Sequence, residues 1–296
     1  LFFSVMKPKN KDTTLIDLIK EHSEKSGIVY CSTRKSVEEV CELINQNGFS
    51  ATRYHAGLSE NERKENQEDF VFDRKQIMVA TNAFGMGIDK SNVSYVIHYN
   101  MPKNIESYYQ EAGRAGRDGS QADCILLYSP QDVFTNRFLI EKSEDNPELT
   151  EEEQYMVREK DFERLKQMTF YCTTNDCLRK FILKYFGDKA DNYCGKCSNC
   201  LTQFETIDIT VDTQKILSCI IKTGQRYGKK MICDVLRGSK NERLLRFKLD
   251  NQSTYGIMKD SSEKRIRDII EHLEQIGFIF SEGGEYPVLK VSATSY

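Results

Sequence analysis

The sequence contains no apolar run long enough to cross a membrane, no internal repeat and no low-complexity tract. These absences exclude helical membrane proteins, fibrous proteins and disordered chains. The residues from Leu1 to Val5 lack an initiator Met and a basic flank, which disfavours a signal peptide and indicates a strand cut from a longer chain. With 296 residues, 39% hydrophobic and 29% charged, the chain is typical of a globular protein with two or three domains.

An excess of charge of one sign is also missing, since the formal net charge is −3. The total does not indicate a nucleic-acid partner, because electrostatic steering depends on local patches. Residues 141 to 163 contain ten acidic and three basic residues, whereas residues 206 to 296 contain fifteen Lys and Arg against twelve Asp and Glu. The C-terminal third is therefore mildly basic.

Cysteine, by contrast, is abundant: the chain has ten cysteines and no secretory signal. This combination disfavours disulfides and favours reduced thiols or metal ligands, so we expect a cytoplasmic protein. Half of the cysteines are expected to behave as small buried apolar residues, namely Cys31, Cys41, Cys124, Cys219 and Cys233.

Helical and strand patterns alternate over residues 1 to 130. Helices are predicted at residues 14–25, 37–47 and 59–72, with Gly48 ending the second and Ser59 capping the third. Strands are predicted at residues 27–31, 51–55, 77–80 and 93–99. Such alternation predicts a parallel sheet that is covered on both faces and binds ligands at its strand ends.

After Pro130 the pattern becomes helical. Helices are predicted at residues 132–141, 150–171, 212–223, 229–237 and 262–276, followed by strands at 278–281 and 288–292. Helices that lead into a terminal hairpin indicate a winged helix.

Residues 108 to 119 read Y-Y-Q-E-A-G-R-A-G-R-D-G. If this segment is helical, Gln110, Arg114 and Arg117 lie on one stripe and form a cationic face. Gly113 and Gly116 remove side chains beside that face, and a guanidinium suits a phosphate that develops negative charge. The pattern predicts arginine-finger chemistry. The alternative is a solvated basic helix, which would not explain the two glycines, because glycine weakens a helix.

The run Q-E-A-G-R-A-G-R-D-G resembles motif VI of superfamily 2 helicases in its RecQ form. The segment Ala80 to Lys90 is similar to motif V, Gly27 to Lys35 to motif IV, and Tyr54 to Leu58 to motif IVa. This order resembles the C-terminal part of a RecQ-family ATP-dependent DNA helicase. The resemblance implies a RecA-like α/β lobe with a parallel sheet at residues 1–135, a helical four-cysteine zinc-binding subdomain at 136–205 and a winged-helix (RQC) domain at 206–296.

The resemblance also implies roles at the nucleotide. Arg117 would be the finger that points to the γ-phosphate of ATP, and Arg114 and Gln110 would couple the nucleotide state to lobe closure. Asp89 and Gly87 of motif V would lie near the nucleotide.

Four further residues would, by the same resemblance, hold the phosphates of single-stranded DNA through hydroxyls, backbone amides and one cation, namely Ser32, Thr33, Arg34 and Thr81. For Ser32 and Thr33 a helix N-cap is an equally good interpretation. His55, beside a strand end, is expected to be a packing residue rather than a catalyst.

The phosphate cradle G-x-x-x-x-G-K-[ST] and an acidic Mg²⁺ motif do not occur in the sequence. ATP and Mg²⁺ are therefore expected to bind only when a first motor lobe is also present. We expect the chain alone neither to hydrolyse ATP nor to unwind DNA.

Three thiols at metal-ligand spacing come from Cys194, Cys197 and Cys200, and a fourth cysteine lies upstream. On chemistry alone Cys172 and Cys177 are both possible fourth ligands. The RecQ resemblance implies Cys177, which directly precedes the basic residues of the helix C-L-R-K-F-I-L-K-Y-F-G. A closed structural zinc site is predicted.

Basic residues recur near the predicted helix ends between residues 225 and 243, namely Arg226, Lys229, Lys230, Arg237, Lys240 and Arg243. Phosphate binding is predicted, with a solvated, salt-bridged face as the alternative. The L-R-G-S turn is similar to one that contacts duplex DNA in the RecQ family, which favours Arg237 and Ser239, with Lys229 nearby. The wing at residues 278–291 is short and contains Glu282 and Glu285, unlike the long aromatic hairpin of some relatives.

The resemblance implies a 3′-to-5′ DNA helicase that unwinds duplexes, forks and junctions in repair, recombination and replication. It further implies a monomeric, nucleoid-associated protein that binds single-stranded and duplex or junction DNA and no membrane. One alternative is a non-enzymatic DNA junction-binding module. Another, half of an RNA helicase, is disfavoured because the zinc module and the winged helix match the DNA family.

Overall fold

A computed structural model describes residues 1–84, 90–143, 147–205, 207–283 and 287–292. The strands are β1 (Phe2–Met6), β2 (Ser26–Tyr30), β3 (Ala51–Tyr54), β4 (Ile77–Ala80), β5 (Val93–His98), β6 (Asp123–Leu127), β7 (Ile279–Glu282) and β8 (Val288–Val291). The helices are α1 (Lys11–Glu21), α2 (Arg34–Gln46), α3 (Glu60–Val71), α4 (Ile105–Ala112), α5 (Pro130–Glu141), α6 (Glu151–Thr173), α7 (Leu178–Tyr185), α8 (Ser198–Leu201), α9 (Thr210–Lys222), α10 (Lys229–Arg237), α11 (Glu242–Arg246) and α12 (Glu263–Gln275). The chain divides into two compact units, Leu1–Gln203 and Phe204–Tyr296.

The first unit is built on a six-stranded sheet with the order β1-β6-β5-β2-β4-β3, in which every neighbouring pair is parallel. Strand β2 lies near the centre, and all five of its residues are buried. Ile28 and Tyr30 belong to the core on one face, whereas Val29 belongs to the core on the other. This alternation confirms the predicted parallel sheet that is covered on both faces.

Helices cover both faces of this sheet. Leu15 of α1 and Val37 of α2 belong to one core, and Phe70 of α3, Tyr108 of α4 and Tyr171 of α6 belong to the other. The helical segment that follows the lobe therefore packs on the sheet itself, which explains why it falls within the first unit. The predicted boundary between residues 135 and 136 lies inside α5, and the division into three domains stays a prediction.

The predicted helices and strands agree with the structure to within a few residues. Ser59 caps α3 as predicted, and Glu62 completes a capping box with it. The pattern does not predict β6, because a short apolar run cannot be assigned by periodicity alone. It also does not predict α11, which is too short to show a period.

The second unit packs α9, α10 and α12 around an apolar core that includes Ile216, Leu236 and Ile270. Strands β7 and β8 form an antiparallel hairpin with Ile279 opposite Val291. Helices followed by a two-stranded wing are the architecture predicted for this region. Within the described residues, no helix combines the length and the apolar character that spanning a membrane requires.

Candidate functional site

Ser32 and Thr33 lie where β2 ends and α2 begins. The Ser32 backbone N–H donates to Asn100 Oδ1 at 3.1 Å. Thr33 is the N-cap of α2, and its Oγ1 accepts from the Ser36 backbone N–H at 3.1 Å. In this structure the Thr33 hydroxyl therefore acts as a helix N-cap, and the Ser32 backbone N–H already has the Asn100 side chain as its acceptor.

Arg34 is exposed and passes close to the motif IVa turn. A Cβ built on Gly57 would meet both Arg34 Cδ and His55 Nδ1 at 3.1 Å, so the turn tolerates only glycine without adjustment. His55 is buried, its Nε2 lies 2.8 Å from Glu38 Oε1, and its Nδ1 accepts from the Gly57 backbone N–H at 3.1 Å. Both ring nitrogens have structural partners, as expected for a packing histidine.

Motif V is held at both of its described ends. Thr81 follows β4, and its backbone N–H donates to the Tyr54 carbonyl at 3.2 Å. At the other end the buried Lys90 ammonium lies 2.7 Å from Asp73 Oδ1. Hydrogen bonds from Lys90 and Ser26 hold the pKa of the Asp73 carboxyl below its usual value. The predicted nucleotide-binding residues Gly87 and Asp89 lie outside the described residues.

The motif VI helix is shorter than predicted. Helix α4 ends at Ala112, with Gly113 as its C-cap, and the chain continues as turns in which Gly116 has φ of +65°. The prediction that Gln110, Arg114 and Arg117 share one helical stripe is therefore wrong. Gly113 caps the helix in a right-handed conformation, with φ of −66°, whereas Gly116 in the turns that follow lies in the left-handed region that is open mainly to glycine.

The two arginines of motif VI differ in environment. Arg117 and Gln110 are exposed, whereas Arg114 is only 9% exposed and lies against its own lobe. Burial raises the pKa of the Tyr30 hydroxyl at the end of β2, and the nearby positive charge of Arg114 opposes that rise. Arg117 is therefore accessible to a ligand whereas Arg114 is largely enclosed, and the roles expected of both at the nucleotide stay predictions.

The cysteine cluster consists of Cys177, Cys194, Cys197 and Cys200, whose sulfur atoms all lie within 4.8 Å of one another. A tetrahedral zinc site with Zn–S bonds of about 2.3 Å requires sulfur separations of roughly 3.8 Å. Cys194 Sγ and Cys200 Sγ are 3.9 Å apart, which fits that geometry. A donor set of four thiols is that of a structural zinc site.

Backbone amides support the sulfur atoms. The Lys180 N–H donates to Cys177 Sγ, the Lys196 N–H to Cys194 Sγ and the Cys194 N–H to Cys200 Sγ, each at 3.4 Å. Burial alone would raise the pKa of the Cys200 thiol, but the N–H groups of Cys194 and Gly195 outweigh it and lower that pKa to about 7. Such bonds stabilise thiolates, the form that binds metal.

Cys172, the competing ligand, is buried in the core and outside the cluster. The zinc loop is joined to the sheet, because Cys197 forms an isolated parallel bridge with Phe3 of β1. Arg179 of α7 adds a hydrogen bond of 2.7 Å from its Nη2 to the Leu1 carbonyl. The zinc module thus continues the lobe at the β1 edge of its sheet.

In the second unit, the predicted DNA-binding residues lie at the two ends of α10. Lys229 Nζ lies 2.6 Å from the buried Glu274 carboxylate, so an internal partner already engages this ammonium. Arg237 is exposed and makes a long 3.7 Å ion pair with Glu263. The Ser239 backbone N–H donates to the Asp234 carbonyl at 2.9 Å beyond the left-handed Gly238.

A cleft of about 510 Å³ lies beside the N-terminus of α10. Five of its lining residues are cationic and one is acidic, namely Arg226, Lys229, Lys230, Arg243 and Arg267 with Asp234. Within the described part of this unit, Arg226, Lys230 and Arg243 have no ion-pair partner. Sequence reasoning missed Arg267, which reaches the cleft from α12; the cluster of basic residues at Lys264, Arg265 and Arg267 was the available signal.

Three family models match this chain in succession. The helicase conserved C-terminal domain matches residues 10–119, the RecQ zinc-binding domain residues 130–201 and the RQC domain residues 203–296. Lobe, zinc module and wing therefore define the C-terminal region of a helicase.

Curated relatives agree with these matches. The ATP-dependent DNA helicase RecQ of Bacillus subtilis is 47% identical over 99% of this chain and 48% of its own length. The RecQ helicase of Pasteurella multocida is 40% identical over 86% of this chain and 39% of its own length. The ATP-dependent helicase SGS1 of Saccharomyces cerevisiae is 34% identical over 100% of this chain and 20% of its own length. The chain belongs to the RecQ family, and it spans about half the length of the bacterial relatives or less.

Proposed function

We propose that this chain supplies the second motor lobe, the zinc module and the DNA-binding RQC domain of an ATP-dependent 3′-to-5′ DNA helicase. ATP and Mg²⁺ would be bound chiefly by a first lobe, and Arg117 would contribute the finger to the γ-phosphate. Gln110 and Arg114 would couple nucleotide binding to lobe closure, with Gly87 and Asp89 near the nucleotide. The observation that carries this proposal is the exposed Arg117 guanidinium on a turn that glycine shapes, within a chain of RecQ family membership.

The cationic cleft supports duplex DNA as the partner of the RQC domain. Arg226, Lys230 and Arg243 line one concavity without carboxylate partners in the described part of the unit, which is the electrostatic arrangement that suits a phosphate backbone. Arg237 and Ser239 stay predicted DNA contacts at the C-terminal end of α10. The exposed 3.7 Å ion pair of Arg237 with Glu263 contributes little free energy, so Arg237 can exchange it for a phosphate contact. Lys229 has the weakest support, since Glu274 already neutralises it.

Single-stranded DNA is proposed to contact the lobe at Ser32, Thr33, Arg34 and Thr81. Arg34 is the exposed cation of this group, and its stem rests on the Gly57 turn. We further propose that the protein is monomeric and works on the nucleoid in repair and recombination. No disulfide joins any of the ten cysteines, all of which lie within the described residues, in keeping with a reducing compartment.

ATP hydrolysis by a longer protein that contains this chain tests the motor assignment. Arg117→Ala should lower the DNA-stimulated kcat by about 10³-fold, the contribution typical of an arginine finger. The matched control is Arg137→Ala, which removes an exposed arginine that is ion-paired with Glu141 on the surface. The chain by itself should show no DNA-stimulated ATPase activity, and robust turnover by the purified chain would contradict the proposal.

Salt-dependent binding of a labelled duplex tests the DNA interface. Lys230→Ala and Arg243→Ala should each weaken binding and reduce the slope of log K against log salt by about 0.9, the value for one lost phosphate contact. Arg265→Ala is the control, because that side chain pairs with Asp212 at 2.9 Å and does not line the cleft. Normal duplex binding without ATPase activity in the longer protein would favour a non-enzymatic junction-binding module.

A further inference from the structure

A buried carboxylate lies behind the cationic cleft of the second unit. Glu274 of α12 has a side chain that is 2% exposed, and its Oε1 accepts a hydrogen bond from the Ser281 hydroxyl of β7. Its Oε2 lies 2.6 Å from the Lys229 ammonium at the start of α10. Among the described residues no hydrogen bond reaches Oε2, so the attraction between opposite charges is what joins Lys229 to it.

The main chain that leads into Lys229 is held against the wing. The Leu289 N–H of β8 donates to the Tyr227 carbonyl at 2.9 Å. A Cβ built on Gly228 would meet the Pro287 carbonyl oxygen at 2.8 Å, so the two backbones are in close contact there. Since the backbone is held in this way, the position of the Lys229 ammonium depends on the conformation of its own side chain.

That side chain has two possible partners. It is 35% exposed and lines the cleft, so a DNA phosphate could compete with Glu274 for it. The exchange is unfavourable, because it would leave a buried carboxylate without a counter-charge and almost without access to water. The exposed pair of Arg237 and Glu263 differs, since Glu263 is 35% exposed and water can solvate it once Arg237 has left. We therefore expect Lys229 to stay with Glu274 when DNA binds.

We propose that Glu274 is a buried counter-charge that keeps Lys229 away from DNA and thereby sets the affinity of the cleft. The inference rests on the proposed function, in which this cleft binds duplex DNA through Arg226, Lys230 and Arg243. One more phosphate contact would strengthen binding about eightfold at about 0.1 M salt, because each contact releases counterions from the DNA. A helicase has to exchange its phosphate contacts as it advances, and a lower affinity makes each exchange easier.

The first test is Glu274→Gln, which removes the charge and keeps the size and a hydrogen-bond acceptor. The full chain is titrated with a labelled duplex at several salt concentrations, and binding is followed by fluorescence anisotropy. The variant should bind about five- to tenfold more tightly at about 0.1 M salt, and its slope of log K against log salt should steepen by about 0.9. A folded Glu274→Gln protein that binds as wild type does, or more weakly, would overturn the proposal.

Two further variants separate this effect from a general change of charge. Asp212→Asn removes the same charge from the same unit, but it releases Arg265, which does not line the cleft. Its affinity should change less than about twofold, and a gain equal to that of Glu274→Gln would overturn the proposal. The double variant Glu274→Gln with Lys229→Met should return to wild-type affinity. Persistence of the full gain in the double variant would show that Lys229 is not its source.

A measurement on the wild-type chain needs no substitution. In ¹H–¹⁵N NMR spectra the Lys229 ammonium signal should be sharp and should stay in place when duplex is added, because the ion pair with Glu274 persists. A shift as large as that of the Lys230 signal would overturn the proposal. If the wild-type chain does not bind duplex DNA, the proposed function of the cleft fails. Broadening of the Lys229 signal by proton exchange in Glu274→Gln then decides separately whether Glu274 holds Lys229, and an unchanged signal would show that it does not.

Discussion

Replacing a zinc ligand should distinguish the contribution of the metal site to stability from that of the surrounding apolar core. The change is Cys197→Ser, chosen because Cys197 is fully buried, belongs to the sulfur cluster and forms the bridge to Phe3 of β1. A hydroxyl in place of this thiolate leaves three sulfur ligands. We expect weaker zinc binding, with the metal more easily removed by a chelator, and destabilisation of the edge of the sheet that the zinc loop contacts.

The size of the effect follows from the four-ligand geometry. Structural zinc contributes about 10–16 kcal/mol to the folding of small modules, so one ligand in four accounts for roughly 3 kcal/mol. Each kcal/mol shifts the melting temperature of a unit of about 200 residues by roughly 2–4 °C. The first unit, Leu1–Gln203, should therefore melt about 6–12 °C lower in Cys197→Ser.

The measurements are zinc content by elemental analysis and thermal unfolding by circular dichroism, with and without a strong chelator. Cys172→Ala is the matched control, because this cysteine is 2% exposed and outside the cluster. It should lose only about 1–2 kcal/mol and keep one zinc per chain. A Cys197→Ser protein that keeps one zinc and the wild-type melting temperature would refute the four-cysteine site, as would loss of zinc from Cys172→Ala.

Two further predictions concern the packing of the lobe. Gly27→Ala should destabilise the first unit by about 3 kcal/mol or more, because the new Cβ would lie 2.0 Å from Tyr95 Cζ across the sheet; a urea midpoint equal to that of wild type would contradict this. His22 has an acceptor at each ring nitrogen, the Leu18 carbonyl and the Asp123 carboxylate, both at 2.8 Å, and the hydrogen bond to Asp123 raises its pKa against the opposing effect of burial. Since the folded pKa is raised, this contribution to the free energy of unfolding is complete below about pH 6.5 and is lost as the pH rises through the folded value. His22→Gln should flatten that dependence in urea titrations at several pH values, and a slope unchanged by the substitution would exclude His22 as its source.

The elements of the lobe were largely predictable because their signals are local. The apolar run Ile77–Ala80 matches β4 residue for residue. Ser59 predicts the start of α3 because it belongs to a capping pattern only a few residues long. Three zinc ligands could be predicted for the same reason, because the spacing of Cys194, Cys197 and Cys200 along the chain is itself the signal. Cys177 required the family resemblance, since its distance from the other three along the chain sets no geometry.

By itself, then, the sequence determined the alternation of strands and helices, the thiol spacing and the family motifs, all of which depend on neighbours along the chain. Tertiary structure decided which charged side chains are engaged. Arg114 and Arg117 are three residues apart, yet the first is buried within its lobe and the second is exposed, because α4 ends between Glu111 and the first arginine. Lys229 likewise meets the buried Glu274 only through the packing of α10 near α12. The physical reason is that the environment of a charged side chain is set by residues that are distant in sequence. The spacing of residues along the chain does not predict those contacts.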